Sequence, residues 1–356
     1  MHLCEGRSPL IRENPASREH SAHGEIPDVL SALQSALSAS GELQGLVTPV
    51  APSRTLARST VYFAGDTAAP AKGCRWVVKQ HRQNGGQIDL EEPLHAAEQF
   101  RSLATLHRHF RSVDEPLGVP RPVALFGDLD AFAMQHVAGV QVNRLLRPAA
   151  VINPAPALEG ARRSGLLLSR LHDAARSAPT RIDTRAMADG ILEFAASAPP
   201  DISLPASVRG VLEALPSRVL ECPTVGLHGD FAPVNVIVDR SGGAYAIDVD
   251  HYRSGVPEQD IARYLTLLGT DRLFMVGCGA PGVEGLRRRL EGALLAAYDA
   301  PRSPAIVLDL EVTDQLLRRW MTRVRARRIG LRRRAIDRRF RTLLEERGER
   351  IRRAAR

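Results

Sequence analysis

The chain has 356 residues, 44% hydrophobic and 25% charged, which is enough to bury one large core or two modest ones. No apolar run approaches the ~20 residues that a membrane-spanning helix needs, and no basic-then-apolar leader opens the chain. Its four cysteines form no C-x-x-C pair, which argues against a disulfide framework and a structural zinc site. We therefore expect a cytoplasmic protein.

The net charge of +8 is distributed unevenly. From Arg318 to the end, 17 arginines face four acidic residues, so the rest of the chain is net acidic. We expect the arginine-rich segment 331–356 to be a solvated helix end, although the spacing of Phe340, Leu343, Leu344 and Ile351 suggests an amphipathic continuation of the preceding helix. Contact with RNA or an anionic membrane surface is the alternative, although the segment lacks the interleaved aromatic residues of a base-stacking platform.

The N-terminal third reads as a small β-rich lobe, residues 27–138. Residues 1–26 are polar and aperiodic, so we expect them to be disordered or loosely attached. The expected elements, in chain order, are a helix at 27–38, strands at 44–50, 59–64 and 75–80, a helix at 93–110, and strands at 119–126 and 130–136.

The following part, residues 139–330, reads as a larger and mainly helical lobe. Residues 145–223 are expected to be mostly helical, with apolar helices at 165–175 and 208–220. One short β insertion, 225–239 and 244–250, surrounds a Ser-Gly-Gly turn, and helices follow from residue 260. The fold class is therefore α+β with two lobes.

The sharpest motif is HGDFAPVN at residues 228–235, which places Asp230 five positions before Asn235. Strand-forming residues follow, then a glycine turn and a second short strand that leads to Asp248. Such a hairpin would bring Asn235 and Asp248 together. An Asp that takes a hydroxyl proton, with an Asn and a second Asp as oxygen ligands of Mg²⁺, is what phosphoryl transfer requires.

These segments resemble the aminoglycoside phosphotransferase and choline kinase branch of the protein-kinase-like superfamily, whose pattern is H-G-D-x-x-x-x-N followed by I-D. Residues 255–262, GVPEQDIA, are similar to the family's G-x-x-x-x-D-L-A stretch. The resemblance implies that Asp230 is the catalytic base and that His228 braces its loop. Asn235 and Asp248 would hold Mg²⁺, and the support or acceptor-side residues would be Asp260 and Asp250.

The same resemblance assigns the nucleotide site. Lys79, one of only two lysines in the chain, would end a strand of the small lobe and contact the phosphates of ATP, with Glu98 as its ion-pair partner. The hinge beside adenine would be Gln135, His136 and Val137. No G-x-G-x-x-G occurs, and the remaining phosphate donors would be Ser59 and Thr60.

The implied function is ATP- and Mg²⁺-dependent phosphorylation of a hydroxyl on a small molecule: an aminoglycoside, a sugar or another small alcohol. An aminoglycoside is a polycation and would require an acidic acceptor groove. Ala232 and Val234 depart from the family's common residues, which bears on the acceptor rather than the reaction. The competing hypothesis is a catalytically inactive, kinase-like nucleotide-binding or scaffold protein that acts through its arginine-rich C-terminus.

Overall fold

The computed structural model describes residues 28–56, 59–81, 95–199, 202–249, 253–325 and 331–356. No helix within those ranges is long and apolar enough to span a membrane. The elements up to residue 135 are α1 (Asp28–Ala39), β1 (Val47–Thr55), β2 (Ser59–Asp66), β3 (Trp76–His81), α2 (His95–Phe110), β4 (Leu117–Gly118), β5 (Pro122–Phe126) and β6 (Ala131–Gln135).

The first sheet has five antiparallel strands in the order β1-β2-β3-β6-β5. Helix α1 buries Val29, Leu33 and their helical neighbours against Trp76 and Val78 of β3, because apolar residues recur at helical spacing along it. This small core is separate from the large one that fills the rest of the molecule. The helix predicted at 27–38 is confirmed as α1. The strands predicted at 44–50, 59–64 and 75–80 are confirmed as β1, β2 and β3 over the described residues.

The remaining elements, again in chain order, are β7 (Val140–Gln141), α3 (Ala149–Ile152), α4 (Ala155–Asp173), β8 (Arg176–Asp183), α5 (Thr184–Ala196), α6 (Ala206–Glu213), β9 (Val219–Leu227), β10 (Val236–Val238), β11 (Ala244–Ala246), β12 (Arg253–Gly255), α7 (Glu258–Gly269), α8 (Arg272–Val276), α9 (Pro281–Ala297), α10 (Ala305–Arg325) and α11 (Leu331–Ala355). They form a largely helical body that carries two small sheets, β4-β11-β10-β7 and β12-β9-β8.

The helical reading of residues 145–223 is wrong at two places. Strand β8 replaces helix, and the helix predicted to reach residue 220 ends at Glu213, after which β9 begins. Strand β8 is an exposed edge strand with no apolar alternation, and the register shift between Ser177 and Thr180 accommodates its internal proline. Nothing in its sequence therefore signals a strand.

The expectation of a solvated C-terminal helix end is also wrong. Helix α11 packs along α10, where the rings of Trp320 and Phe340 stack with centroids 5.8 Å apart. Its Arg339 is fully buried and donates to the carbonyl of Gly269 at 2.9 Å. Many arginines of this helix thus belong to the structure of the body.

Candidate active site

The HGD segment follows directly from strand β9, whose last residue, Leu227, pairs with Arg253 of β12. Gly229 adopts φ +86°, a left-handed conformation that favours glycine. The backbone N–H groups of His228 and Gly229 both donate to the carboxylate of Asp260, at 2.7 and 3.0 Å. Asp260, in the first turn of α7, therefore holds the loop by its backbone.

His228 is fully buried and joins the two halves of the site. Its Nδ1 accepts from the N–H of Asp230 at 3.3 Å, so Nε2 carries the proton and donates to the carbonyl of Ile247 at 3.1 Å. The ring thereby ties the loop of Asp230 to the residue before Asp248.

Asp260 is itself supported from α4. His172 Nε2 lies 3.1 Å from Asp260 Oδ2, and His172 Nδ1 lies 2.8 Å from the hydroxyl of Tyr298. Burial opposes ionisation of Asp260, but the hydrogen bond and charge of His172, with the hydrogen bond from the backbone of His228, outweigh it and lower the pKa of the carboxyl. A buried carboxylate is thus kept ionised at the centre of the loop's support.

Asp230 lies in the middle of the site with its side chain 29% exposed. Its Oδ1 accepts from Nε of Arg263 at 2.8 Å, and Nη2 of the same arginine lies 2.8 Å away. Its Oδ2 accepts from Nδ2 of Asn235 at 3.2 Å, and the same amide donates to the Asp230 carbonyl at 2.9 Å. The two carboxylate oxygens therefore face two different partners.

The predicted hairpin between Asn235 and Asp248 is present. Strands β10 and β11 pair in antiparallel register, and the N–H of Ile247 donates to the Asn235 carbonyl at 2.9 Å, so the two residues flank the same end of the hairpin. Asp248 adopts φ +64°, which is uncommon for a residue with a side chain and frequent at functional sites.

Lys79 lies on β3 opposite Val61 and Phe132, is 8% exposed, and forms a close ion pair with the carboxylate of Asp248. Glu98 lies in the first turn of α2 and is partly buried. Among the ion pairs of the described ranges none joins Glu98 to Lys79. The ammonium group of Lys79 thus reaches from the first sheet to the carboxylate of Asp248.

The other residues expected at the nucleotide lie on the first sheet. Ser59 and Thr60 begin β2 beside the β1–β2 connection, where Thr60 pairs with Thr55 and Ser59 pairs with His81. Gln135 ends β6, and the hinge continues through His136 and Val137.

The hinge backbone is partly engaged. The N–H groups of Gln135 and His136 donate to the carbonyls of Arg121 and Arg75, both at 2.8 Å. Burial lowers the pKa of His136, against the opposing effect of a hydrogen bond that its ring donates to the backbone carbonyl of Cys74. Asp250 lies outside the described residues.

Two oxygen donors could serve a metal ion. The amide of Asn235 uses its NH₂ group on Asp230, and within the described part of the chain its Oδ1 accepts no hydrogen bond. With the carboxylate of Asp248, it offers the hard oxygen ligands that suit Mg²⁺. No group of three or more His, Cys, Asp or Glu residues forms a metal cluster within the described ranges.

Sequence reasoning missed Arg263 and a cleft of about 530 Å³ beside it. The cleft lies between the HGD loop, β12, α7 and α10. Arg263 follows the D-I-A motif directly, but its partner Asp230 is 33 residues earlier. The only sequence signal was its position one helical turn from Asp260, which places both on one face of α7.

The model of a family described as phosphotransferase enzymes matches residues 55–307. No curated protein sequence matches the chain. A solved glucosamine kinase, in complex with glucosamine, ADP and inorganic phosphate, is similar with TM-score 0.55 and 17% identity, over 89% of this chain and 85% of that one. An amicoumacin kinase in complex with AMP-PNP and Ca²⁺ is similar with TM-score 0.52 and 14% identity, over 90% of this chain and 96% of that one. The two-lobed, protein-kinase-like α+β fold is confirmed.

Proposed function

Since this chain belongs to the phosphotransferase enzyme family and is a small-molecule kinase, we propose that it moves the γ-phosphate of ATP to a hydroxyl of its acceptor. In this proposal Asp230 is the base, and Asn235 and Asp248 are ligands of Mg²⁺. Lys79 contacts the phosphates, and His228 and Asp260 hold the loop.

The observation that carries the proposal is the environment of Asp230. Its Oδ2 is next to Asn235, which together with Asp248 offers metal ligands, whereas its Oδ1 is next to Arg263 at the border of the cleft. A base of a phosphotransferase must stand between a nucleotide–metal side and an acceptor side. Asp230 has a different partner on each side.

The nucleotide side has the required charges. The Lys79–Asp248 ion pair places an ammonium group for the phosphates beside a carboxylate for the metal. Adenine would meet the backbone of Val137, because the N–H groups of Gln135 and His136 already donate to Arg121 and Arg75. Structures similar in fold were solved with ADP and with AMP-PNP, which supports an adenine nucleotide.

The chemistry would be a single in-line transfer. The acceptor oxygen forms a bond to the γ-phosphorus while the bond from that phosphorus to the β–γ bridging oxygen breaks and ADP leaves. Asp230 receives the hydroxyl proton through its carboxylate. Mg²⁺, when bound, neutralises charge on the phosphates, and Lys79 adds to that neutralisation.

The test is to follow ADP release and phosphomonoester formation together, by a coupled assay and ³¹P NMR, with ATP and a panel of hydroxyl compounds. We expect equal amounts of ADP and phosphomonoester, formed only with an acceptor and abolished by EDTA. Formation of inorganic phosphate at a rate independent of the acceptor would contradict the proposal.

A further inference from the structure

We propose that the acceptor carries an anionic oxyacid group, a carboxylate or a phosphate, which the arginines of the cleft beside Asp230 bind while a hydroxyl of the same molecule reaches Asp230. This inference rests on the proposed function, because it names the class of molecule that the kinase phosphorylates. We call the space lined by Arg253, Arg263, Arg318, Arg319 and Arg323 the acceptor cleft.

The charge of the acceptor cleft is the first argument. Five arginines line it: Arg253 of β12, Arg263 of α7, and Arg318, Arg319 and Arg323 of α10. The one carboxylate in its described lining is Asp260, which is 2% exposed and already accepts from His228, Gly229 and His172. Arginine side chains therefore dominate the described wall of the cleft, although Arg263 and Arg318 are paired with Asp230 and Asp314.

The guanidinium group of Arg319 has a neutral hydrogen-bond partner. Its Nε donates to the hydroxyl of Thr270 at 2.7 Å, and no carboxylate of the described residues lies within ion-pair distance of it. Burial, together with the charges of Arg323 and Arg263, lowers the pKa of this guanidinium to about 10 against the opposing charges of Asp230 and Asp271. A partly buried guanidinium surrounded by like charges favours an anion as its partner.

Two neighbours behave differently, which marks Arg319 as the anchor. Arg263 is held by Asp230, and Arg318 donates to Asp314, one turn earlier on α10, at 2.6 Å. Arg319 reaches the same cleft from the next position of the helix without such a carboxylate.

The size of the acceptor cleft and its position fit a single molecule that reaches from Arg319 towards Asp230. The acceptor cleft holds about 530 Å³, within the range of small-ligand sites and enough for a monosaccharide-sized compound. Gly229, the neighbour of Asp230, lines this cleft, and so does Arg263, which donates to Oδ1 of Asp230 at 2.8 Å. An acid group at Arg319 would therefore place the rest of the same molecule against the residues that flank Asp230.

The same charges argue against a polycationic acceptor. The ammonium groups of an aminoglycoside would face five arginines where an acidic groove is needed. The acidic groove that such an acceptor requires is therefore not what the described lining provides.

The first test measures binding without turnover. Inorganic phosphate is titrated calorimetrically into the full-length protein and into Arg319→Gln, Arg319→Lys and Lys79→Gln. We expect Arg319→Gln to weaken phosphate binding about tenfold or more, Arg319→Lys to weaken it less, and Lys79→Gln to leave the cleft's binding intact. The matched control is Arg288→Gln, an exposed arginine of α9. Absence of phosphate binding, or loss of it only in Lys79→Gln, would overturn the inference.

A second pair of variants avoids truncating a partly buried side chain. Thr322 is exposed, lines the cleft and lies one turn beyond Arg319, so Thr322→Glu would offer that arginine a carboxylate from within the chain. Thr322→Gln is the uncharged control. We expect roughly two- to fivefold weaker phosphate binding in Thr322→Glu and little change in Thr322→Gln. Equal binding by both variants would contradict an anion site at Arg319.

The third test compares acceptors that differ in one acid group, such as D-glucuronate with D-glucose and D-glycerate with glycerol, and adds kanamycin as a polycation. We expect kcat/KM to be at least about tenfold higher for the anionic member of a pair, and this preference to be lost in Arg319→Gln. Faster turnover of the neutral or cationic acceptors would overturn the inference and leave the proposed phosphotransfer intact. No turnover of any acceptor, with phosphate binding still dependent on Arg319, would contradict the proposed function instead.

Discussion

Arg263 donates from Nε to Oδ1 of Asp230 across 2.8 Å. The same helix holds Asp260 one turn earlier, and Asp260 accepts the backbone N–H groups of His228 and Gly229. Helix α7 therefore holds the HGD loop at two points. Asp260 binds the backbone of the loop, and Arg263 binds the side chain of Asp230. The orientation of the proposed base depends on a residue outside the recognised motif.

Arg263→Gln should lower kcat by about 100-fold, because a carboxylate displaced by ~1 Å loses its alignment with the acceptor hydroxyl. The KM for ATP should stay within a few-fold, since Arg263 contacts Oδ1 of Asp230 whereas Asn235, a proposed metal ligand, contacts Oδ2. Steady-state kinetics with varied ATP separates the two effects. Arg263→Lys should recover part of the rate, and Arg272→Gln, an exposed arginine of α8, is the control. An unchanged kcat in Arg263→Gln would remove its positioning role.

Asp260→Asn should destabilise the fold by about 3 kcal/mol or more, because a buried carboxylate with three hydrogen-bond donors is replaced by a group that cannot accept from all of them. Urea unfolding at about pH 7 measures this difference. The exposed Asp128→Asn is the matched control. A difference between the two variants within about 0.5 kcal/mol would contradict the supporting role of Asp260.

The lowered pKa of Asp260 also predicts how the free energy of unfolding changes in acid. Its pKa is lowered in the folded state, so its stabilisation is present above the ordinary carboxyl range and is lost as the pH falls through the lowered value. The wild-type protein should therefore lose stability on acidification, and Asp260→Asn should lose less.

For Glu311 on α10 we expect the opposite dependence of stability on pH. Burial and the charges of Asp314 and Glu258 raise the pKa of its carboxyl to about 7, against a hydrogen bond from Gln259. Folding then favours the protonated form, so its contribution is complete below about pH 4.5 and declines as the pH rises through about 7.

Glu311→Gln should therefore be more stable than the wild type at about pH 8, by up to roughly 3 kcal/mol, and similar to it at about pH 4.5. Unfolding curves at both pH values measure the crossover. Glu193→Gln, on the exposed face of α5, should show no such change. An equal difference at both pH values would exclude titration of Glu311 as the cause.

Arg347 of α11 donates to Asp309 and Glu291, both at 2.8 Å, and is 4% exposed. Arg347→Met should cost about 3–5 kcal/mol of stability, because two buried carboxylates lose a partner. Arg353→Met, whose wild-type side chain is 75% exposed and pairs with Glu349, should change stability by less than about 1 kcal/mol. Equal Tm values for the two variants would indicate that α11 is not part of the body.

The features that could be predicted from the sequence are those determined by residues close together in the chain. The HGD loop, the strand of Lys79 and the hairpin before Asp248 are each specified within about ten residues of chain, by strand-forming residues, turns and fixed spacing. The strand β8 could not be predicted, because its exposed and proline-containing sequence lacks the alternation that marks a strand.

The acceptor side could not be predicted either, since it depends on which distant arginines meet. Arg319 and Arg323 lie near the start of the arginine-rich end of the chain, and nothing in the sequence around them indicates which surface they face. Only the packing of α10 against α7 places them beside Asp230. The contact between Lys79 and Asp248 likewise depends on tertiary geometry, because the two residues are far apart in the chain. The ion pair of Lys79 with Glu98 stays a prediction.

The central claim is that Asp230 is the base of a phosphotransfer reaction. The most direct measurement is kcat for ADP release by Asp230→Asn, with the Kd for ATP measured on the same preparation and Asp128→Asn as control. The account predicts a fall in kcat of at least about 100-fold with little change in the Kd for ATP. An unchanged kcat in Asp230→Asn would contradict it.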